Sequence, residues 1–150
     1  MIRILFAAAA TFAAGARSMI SHEGVRLQEN IERPWGEGDV RIQCSRACDD
    51  CARVCDVCAI HCAQLIAAGK KEHLQTLQTC QVCAAACRAA SGLAAGAVPF
   101  SRLIGAACVE ACGLCAESCE RFQNDLMMRR CAEECRSCAK ACRDMLGRGG

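Results

Sequence analysis

From Asp39 onward, small apolar residues recur at helical spacing. Cys44, Cys48, Cys51, Cys55, Cys58 and Cys62 follow one another at steps of 4, 3, 4, 3 and 4, with polar residues such as Arg46, Asp49, Asp50 and Arg53 between them. Alternating steps of three and four keep one stripe on one side of an α-helix, so a long first helix is predicted. Asp39 is placed to cap its start and Gly69 to stop it, with Lys70-Lys71 beyond. A second helix carries Cys80, Cys83 and Cys87 in the same register and runs out in the glycine-containing segment 92–96 before Pro99. A third carries Cys108, Cys112, Cys115 and Cys119; a fourth carries Cys131, Cys135, Cys138 and Cys142, with Asn124 or Asp125 as its cap and Gly147 as its end. Four amphipathic helices on short connections predict an all-α fold over residues 39–147, an antiparallel up-down-up-down four-helix bundle with a cysteine-lined core.

The segment before the bundle reads differently. Residues 1–16 combine a basic start at Arg3, an apolar run and a small-residue site at Ala14-Gly15-Ala16, the pattern of a secretory signal peptide. A true start at Met19, or an extra amphipathic helix outside the bundle, would account for the same residues. Residues 17–38 are polar, contain Pro34-Trp35-Gly36 and His22, and read as a linker or N-terminal extension. A cleaved signal would place the protein outside the cytoplasm, in a periplasm for instance; a reduced thiol-rich core suits the cytoplasm, and both compartments stay open. Beyond the first twenty residues no run of 18 apolar residues occurs, so no membrane span is expected.

Composition sharpens the picture at one point. A net charge of +2 and 3% aromatics leave no basic stripe with stacking rings, which argues against nucleic acid as a partner. Seventeen cysteines in 150 residues, by contrast, demand an account. Cysteine can serve as a small buried hydrophobe, but seventeen on the inward faces would leave a thin, poorly filled core. Disulfides fit no better. Neighbours four apart on a helix have Cβ atoms about 5–6 Å apart, whereas a disulfide needs about 3.5–4.5 Å, and seventeen is odd. Cross-helix pairs remain as an oxidised, metal-free product.

A metal held linearly between two thiolates needs sulfurs roughly 4.6 Å apart, taking ~2.3 Å per metal–sulfur bond. The CxxxC pairs Cys44/Cys48, Cys51/Cys55, Cys58/Cys62, Cys83/Cys87, Cys108/Cys112, Cys115/Cys119, Cys131/Cys135 and Cys138/Cys142 can offer that. Soft thiolates select Cu(I), Zn(II) or iron–sulfur clusters. Charge favours copper: roughly seventeen Cu(I) would neutralise the thiolates, whereas four tetrahedral zinc sites would leave a net charge of about −9 in a low-dielectric interior. The C-x2-C-x2-C-x3-C-P run of iron–sulfur ferredoxins is missing.

The stretches CSRACDDCARVCDVCAIHC, CQVCAAAC, CVEACGLCAESC and CAEECRSCAKAC, spread over about residues 40–146, resemble the copper storage protein family of cysteine-rich four-helix bundles. The resemblance implies a bundle filled with Cu(I) thiolates, usually assembled as a homo-oligomer, with no catalytic reaction; copper donor or acceptor proteins are the further partners expected of such a store. The second helix departs from the pattern, with three cysteines and with Thr76, Leu77 and Ala90 nearby.

In an up-down-up-down bundle the end of the first helix lies beside the start of the second, the end of the third and the start of the fourth. Extending each register to that end brings together His73, Phe122, Asn124 and Met128, with His61 and Met127 close by, a candidate metal entry. Thioether and imidazole hold Cu(I) softly enough to pass it on. The plainer reading makes the methionines gap-fillers and the histidines surface residues. Met145 extends the fourth helix at the opposite end as a core plug, and Arg129-Arg130 reads as a solvated pair. Storage or sequestration of copper is the function expected. A thiol–disulfide oxidoreductase would call for one CxxC at a helix start in a βαβ pattern. A zinc-thiolate store, a copper chaperone and a metal-responsive regulator also draw on soft thiolate ligands and compete with storage.

Overall fold

The computed structural model describes residues 39–96 and 100–148. The expectations for residues 1–16 and 17–38, His22 included, lie outside them. Four helices follow in order: α1, Val40–Ala67; α2, Leu74–Gly96, entered through a single 3-10 turn at Lys71–His73; α3, Ser101–Glu120; and α4, Leu126–Arg148.

The helix ends follow from side chains at the predicted positions. Asp39 is extended, and its carboxylate accepts the backbone N–H of Arg41 at 2.9 Å while binding the Arg41 guanidinium. α1 stops because Gly69 adopts φ 93°, which lets the Gly69 N–H reach the Ile66 carbonyl and the Lys70 N–H reach that of Leu65. Asp125, not Asn124, caps α4: its Oδ1 accepts from the N–H groups of Met127 at 2.9 Å and Met128 at 3.2 Å. One boundary differs from the expectation, since α4 continues through Gly147 to Arg148. Helical φ is open to glycine, so nothing forces the chain out of the helix there.

Contacts between helix ends set the topology. Cys44 near the start of α1 meets Cys142 near the end of α4, and Ser45 bonds Ser91 near the end of α2. Thr76 at the start of α2 bonds Ser118 at the end of α3, and Arg102 at the start of α3 bonds the Leu146 carbonyl in α4. Each helix therefore runs antiparallel to the next, and the four close a ring in chain order.

The core owes little to large aliphatic side chains. All seventeen cysteines are fully buried, accompanied by alanines and by Ile42, Met128 and Met145. Six of the alanines, Ala52, Ala59, Ala84, Ala116, Ala132 and Ala139, directly follow a core cysteine. Such small residues beside the seam let neighbouring helices approach closely, since interaxial distance is set by the side chains at the contact. The narrow interior that results brings sulfurs of facing helices within reach of one another. Among the described residues no helix is long and apolar enough to cross a membrane.

Candidate metal centre

The seams bring every cysteine thiol inward, and all seventeen are free. Their sulfurs form a continuous column. At one end Cys44 lies 3.1 Å from Cys142, which lies 3.5 Å from Cys48. In the middle, Cys83 is 3.6 Å from Cys112 and 4.0 Å from Cys51, which is 3.8 Å from Cys135. Beyond it Cys55 is 3.6 Å from Cys135, and Cys115 is 3.6 Å from Cys80. Toward the other end Cys58, Cys80, Cys119 and Cys131 form a quartet, and Cys62 closes the row.

The CxxxC pairs share this column with cross-helix contacts. Three such pairs, Cys51/Cys55, Cys83/Cys87 and Cys108/Cys112, stand 3.9 Å apart. Cross-helix partners are as close or closer, as between Cys87 and Cys108 at 3.6 Å and between Cys48 and Cys138 at 3.7 Å. Three sulfurs around one metal at ~2.3 Å have edges of roughly 4.0 Å, and triangles such as Cys51, Cys83 and Cys112 have edges of 4.0, 4.0 and 3.6 Å. Such facets are shared by several helices. Sharing is also general: Cys51, Cys55, Cys83, Cys131 and Cys135 each belong to two quartets.

The thiols also compete for protons. Cys142 and Cys48 donate to Cys44 and hold it low, at about 4. At the far end Cys62 is pushed up to about 12, chiefly because its proton is committed to Cys58. Cys80, Cys87, Cys112 and Cys135 are driven well above the usual thiol range by neighbours that use their S–H groups. Each thiolate is stabilised at the expense of the thiols that donate to it. A metal-free interior therefore keeps many of its protons, and only added cations can displace them all.

The end where α1 and α3 finish gathers the residues expected at an entry. Met128 is fully buried, and its Sδ accepts from the Cys58 thiol at 3.6 Å. His73 is 5% exposed, which removes the surface reading; its ring stacks on Phe122 with centroids 4.1 Å apart, and its Nδ1 is buried without a hydrogen-bond partner. His61 is half-buried and donates through Nε2 to Asp125 Oδ2 at 2.7 Å. Burial pushes the Asp125 carboxyl up, but the His61 bond and the two capping N–H groups outweigh it and bring it below the usual range. Met127 is half-buried against the core beside Val54 and Val57. Asn124 is exposed and lines a pocket of about 390 Å³ that also includes His73 and Phe122. Arg129 and Arg130 are exposed, as expected.

The opposite end is plugged. Met145 is buried, and its methyl lies 2.9 Å from where a Cβ on Gly105 would stand. Gly105 is thus the notch that receives the plug, a role with no signature along the chain. On α2 the cysteine row gives way to fully buried Thr76, whose hydroxyl lies 3.0 Å from that of Ser118. The His61–Asp125 and Thr76–Ser118 pairs have no signature either, since they join residues 64 and 42 positions apart. The Cys-Ala steps, by contrast, can be found from the heptad spacing alone.

Comparison with known proteins places this geometry. The family described as copper storage protein matches residues 39–147. Among solved structures, the chain is similar to the copper storage protein Ccsp from Streptomyces lividans, loaded with 10 copper equivalents. The two share 26% identity with a TM-score of 0.66, over 75% of this chain and 93% of that one. The comparison with curated proteins found no match.

Proposed function

The chain belongs to the copper storage protein family, and on that footing we propose that it binds and stores several Cu(I) ions on the thiolates of its bundle interior. The observation that carries this is the unbroken column of seventeen buried, unpaired cysteines whose sulfurs are shared between overlapping quartets. Shared thiolates suit bridged clusters of a monovalent soft cation. Isolated tetrahedral zinc sites would each need four sulfurs of their own and would leave excess negative charge inside. The role is storage, a capacity for ions, with no turnover assigned to any side chain.

The ligands are the seventeen cysteines from Cys44 to Cys142. Metal enters where α1 and α3 end. The unpartnered Nδ1 of His73 and the Met128 thioether against Cys58 support these two as relay ligands; His61, Met127 and Asn124 line the approach. Assembly as a homo-oligomer and exchange with copper donor or acceptor proteins also belong to this reading. Val82 and Leu114, 62% and 61% exposed beside an apolar groove between α2 and α3, support a self-association face.

The deciding experiment is an anaerobic Cu(I) titration of the reduced protein against a calibrated competing chelator, repeated with Zn(II). Tight uptake of many ions, rising toward the cysteine count, is expected. Saturation at one or two Cu(I), or a preference for about four Zn(II), would overturn the storage reading.

A further inference from the structure

The charge around the entry is opposite to what a bare cation would need. Residues 60–76 and 119–130, which form this end, carry Lys70, Lys71, Arg121, Arg129 and Arg130 against Glu72, Glu120 and Asp125. Glu133 lies beside Arg129 and Glu134 near Arg130, so these two cations have neighbouring carboxylates. Two of these carboxylates are engaged, Glu120 by Arg136 at 2.8 Å and Asp125 by His61 at 2.7 Å. Lys70 has no ion-pair partner among the described residues, and Arg121 is held over the Phe122 ring at 5.7 Å with one hydrogen bond, to Gln75. Both line the 390 Å³ pocket together with His73, Phe122, Gln123, Asn124 and Asp125, whose carboxylate is held by His61. That volume falls in the usual range for a small-molecule site, roughly 300–1,000 Å³. Two cations, amide groups for hydrogen bonds and an imidazole in the lining describe a receptor for an anion that carries a soft metal.

We propose that this pocket receives Cu(I) as its complex with a low-molecular-weight, carboxylate-bearing thiol. The inference rests on the storage reading and names the form in which the ion arrives. Lys70 and Arg121 bind carboxylates of the carrier, which sets its metal above His73. The copper–sulfur bond to the carrier then breaks as a bond to protein forms, first at His73 Nδ1 or Met128 Sδ and then at a core thiol. The proton of that thiol leaves with the departing carrier thiolate, and copper stays Cu(I) throughout.

The test uses the full-length, reduced, metal-free protein and the Lys70→Glu/Arg121→Glu variant, both of whose substituted residues are exposed. Anaerobic stopped-flow follows Cu(I) transfer from its glutathione complex and, separately, from its cationic acetonitrile complex. Transfer from glutathione is expected to slow about tenfold in the variant, and in the wild type to slow as salt rises; transfer from acetonitrile is expected to hold or quicken. S-methylglutathione, which has no thiol to ligate metal, is expected to give saturable NMR shifts at Lys70, His73 and Phe122. Equal effects on both donors, or no such shifts, would overturn the proposal, as would acceleration by an acidic protein donor without S-methylglutathione binding. Total capacity is read separately by the chelator titration: low capacity would refute storage, whereas full capacity with donor-independent rates would refute this inference alone.

Discussion

At the scale of single residues, the two aspartate caps have distinct jobs. Asp39 closes α1 and holds Arg41, whereas Asp125 caps α4 and also anchors His61. Removing an N-cap costs about 1 kcal/mol, so Asp39→Ala and Asp125→Ala should each lower stability by about that amount in urea unfolding of the metal-free protein. Asp125→Asn keeps an acceptor for the capping N–H groups and should recover most of the loss. Both carboxyls sit below the usual aspartate value, Asp39 chiefly through its hydrogen bonds from Arg41 and Asp125 because His61 and the capping N–H groups outweigh burial. A depressed folded-state value means the contribution is fully present above about pH 3.9, the unfolded value, and is lost as pH falls through the folded value. Urea midpoints of Asp39→Asn and Asp125→Asn should therefore approach that of the wild type in acid, and a constant gap would refute the assignment. Replacing His73 by Phe or Met128 by Leu should slow Cu(I) uptake several-fold; unchanged rates would remove that residue from the route.

The helices add a constraint that no single residue carries. α2 has the register for a longer cysteine row, and Thr76 stands where its next sulfur toward the entry would be, four residues before Cys80. Thr76→Cys should raise copper capacity by about one ion, counted in the same chelator competition. Thr76→Val should instead cost about 1 kcal/mol, because the hydroxyl of Ser118 loses its buried partner. At the plugged end, Gly105→Ala brings two opposing effects. Alanine gains up to about 1 kcal/mol in helix propensity over glycine, while its Cβ must displace the flexible tip of Met145. A net change under about 1 kcal/mol is expected for Ala, and a loss of several for Gly105→Leu, where overpacking reaches past Met145 to Leu146. Urea unfolding of the pair measures both.

For the molecule as a whole, metal and fold are linked. A core of cysteine and alanine buries little hydrocarbon, so much of the cohesion of the loaded state should come from copper–sulfur bonds joining facing helices. Each ion held at a free concentration a hundredfold above its Kd stabilises the folded state by about 2.7 kcal/mol. Thermal melting followed by circular dichroism should therefore rise with each Cu(I) equivalent added, and removal of copper by a strong chelator should reverse it. No rise through the first several equivalents would mean that the metal sits outside the core. Loading should also release protons into a weak buffer, because the metal-free thiols retain them.

Much of this was legible along the chain because helical periodicity is a local property. The steps from Cys44 to Cys62 place six thiols on one face whatever surrounds them, and the Asp39 and Gly69 termini depend only on neighbouring backbone groups. The number of helices, their order, the inward cysteines and the preference for soft monovalent metal follow from such local facts together with charge. The tertiary structure alone decided which sulfurs meet, because cross-helix distances depend on the rotation and stagger of each helix, which the small residues beside the seams permit but do not specify. The burial of His73 under Phe122, the choice of Asp125 over Asn124, the notch at Gly105 and the meeting of Lys70, His73 and Arg121 around one pocket are of the same kind. Each arises from residues far apart in sequence that become neighbours only when the bundle closes.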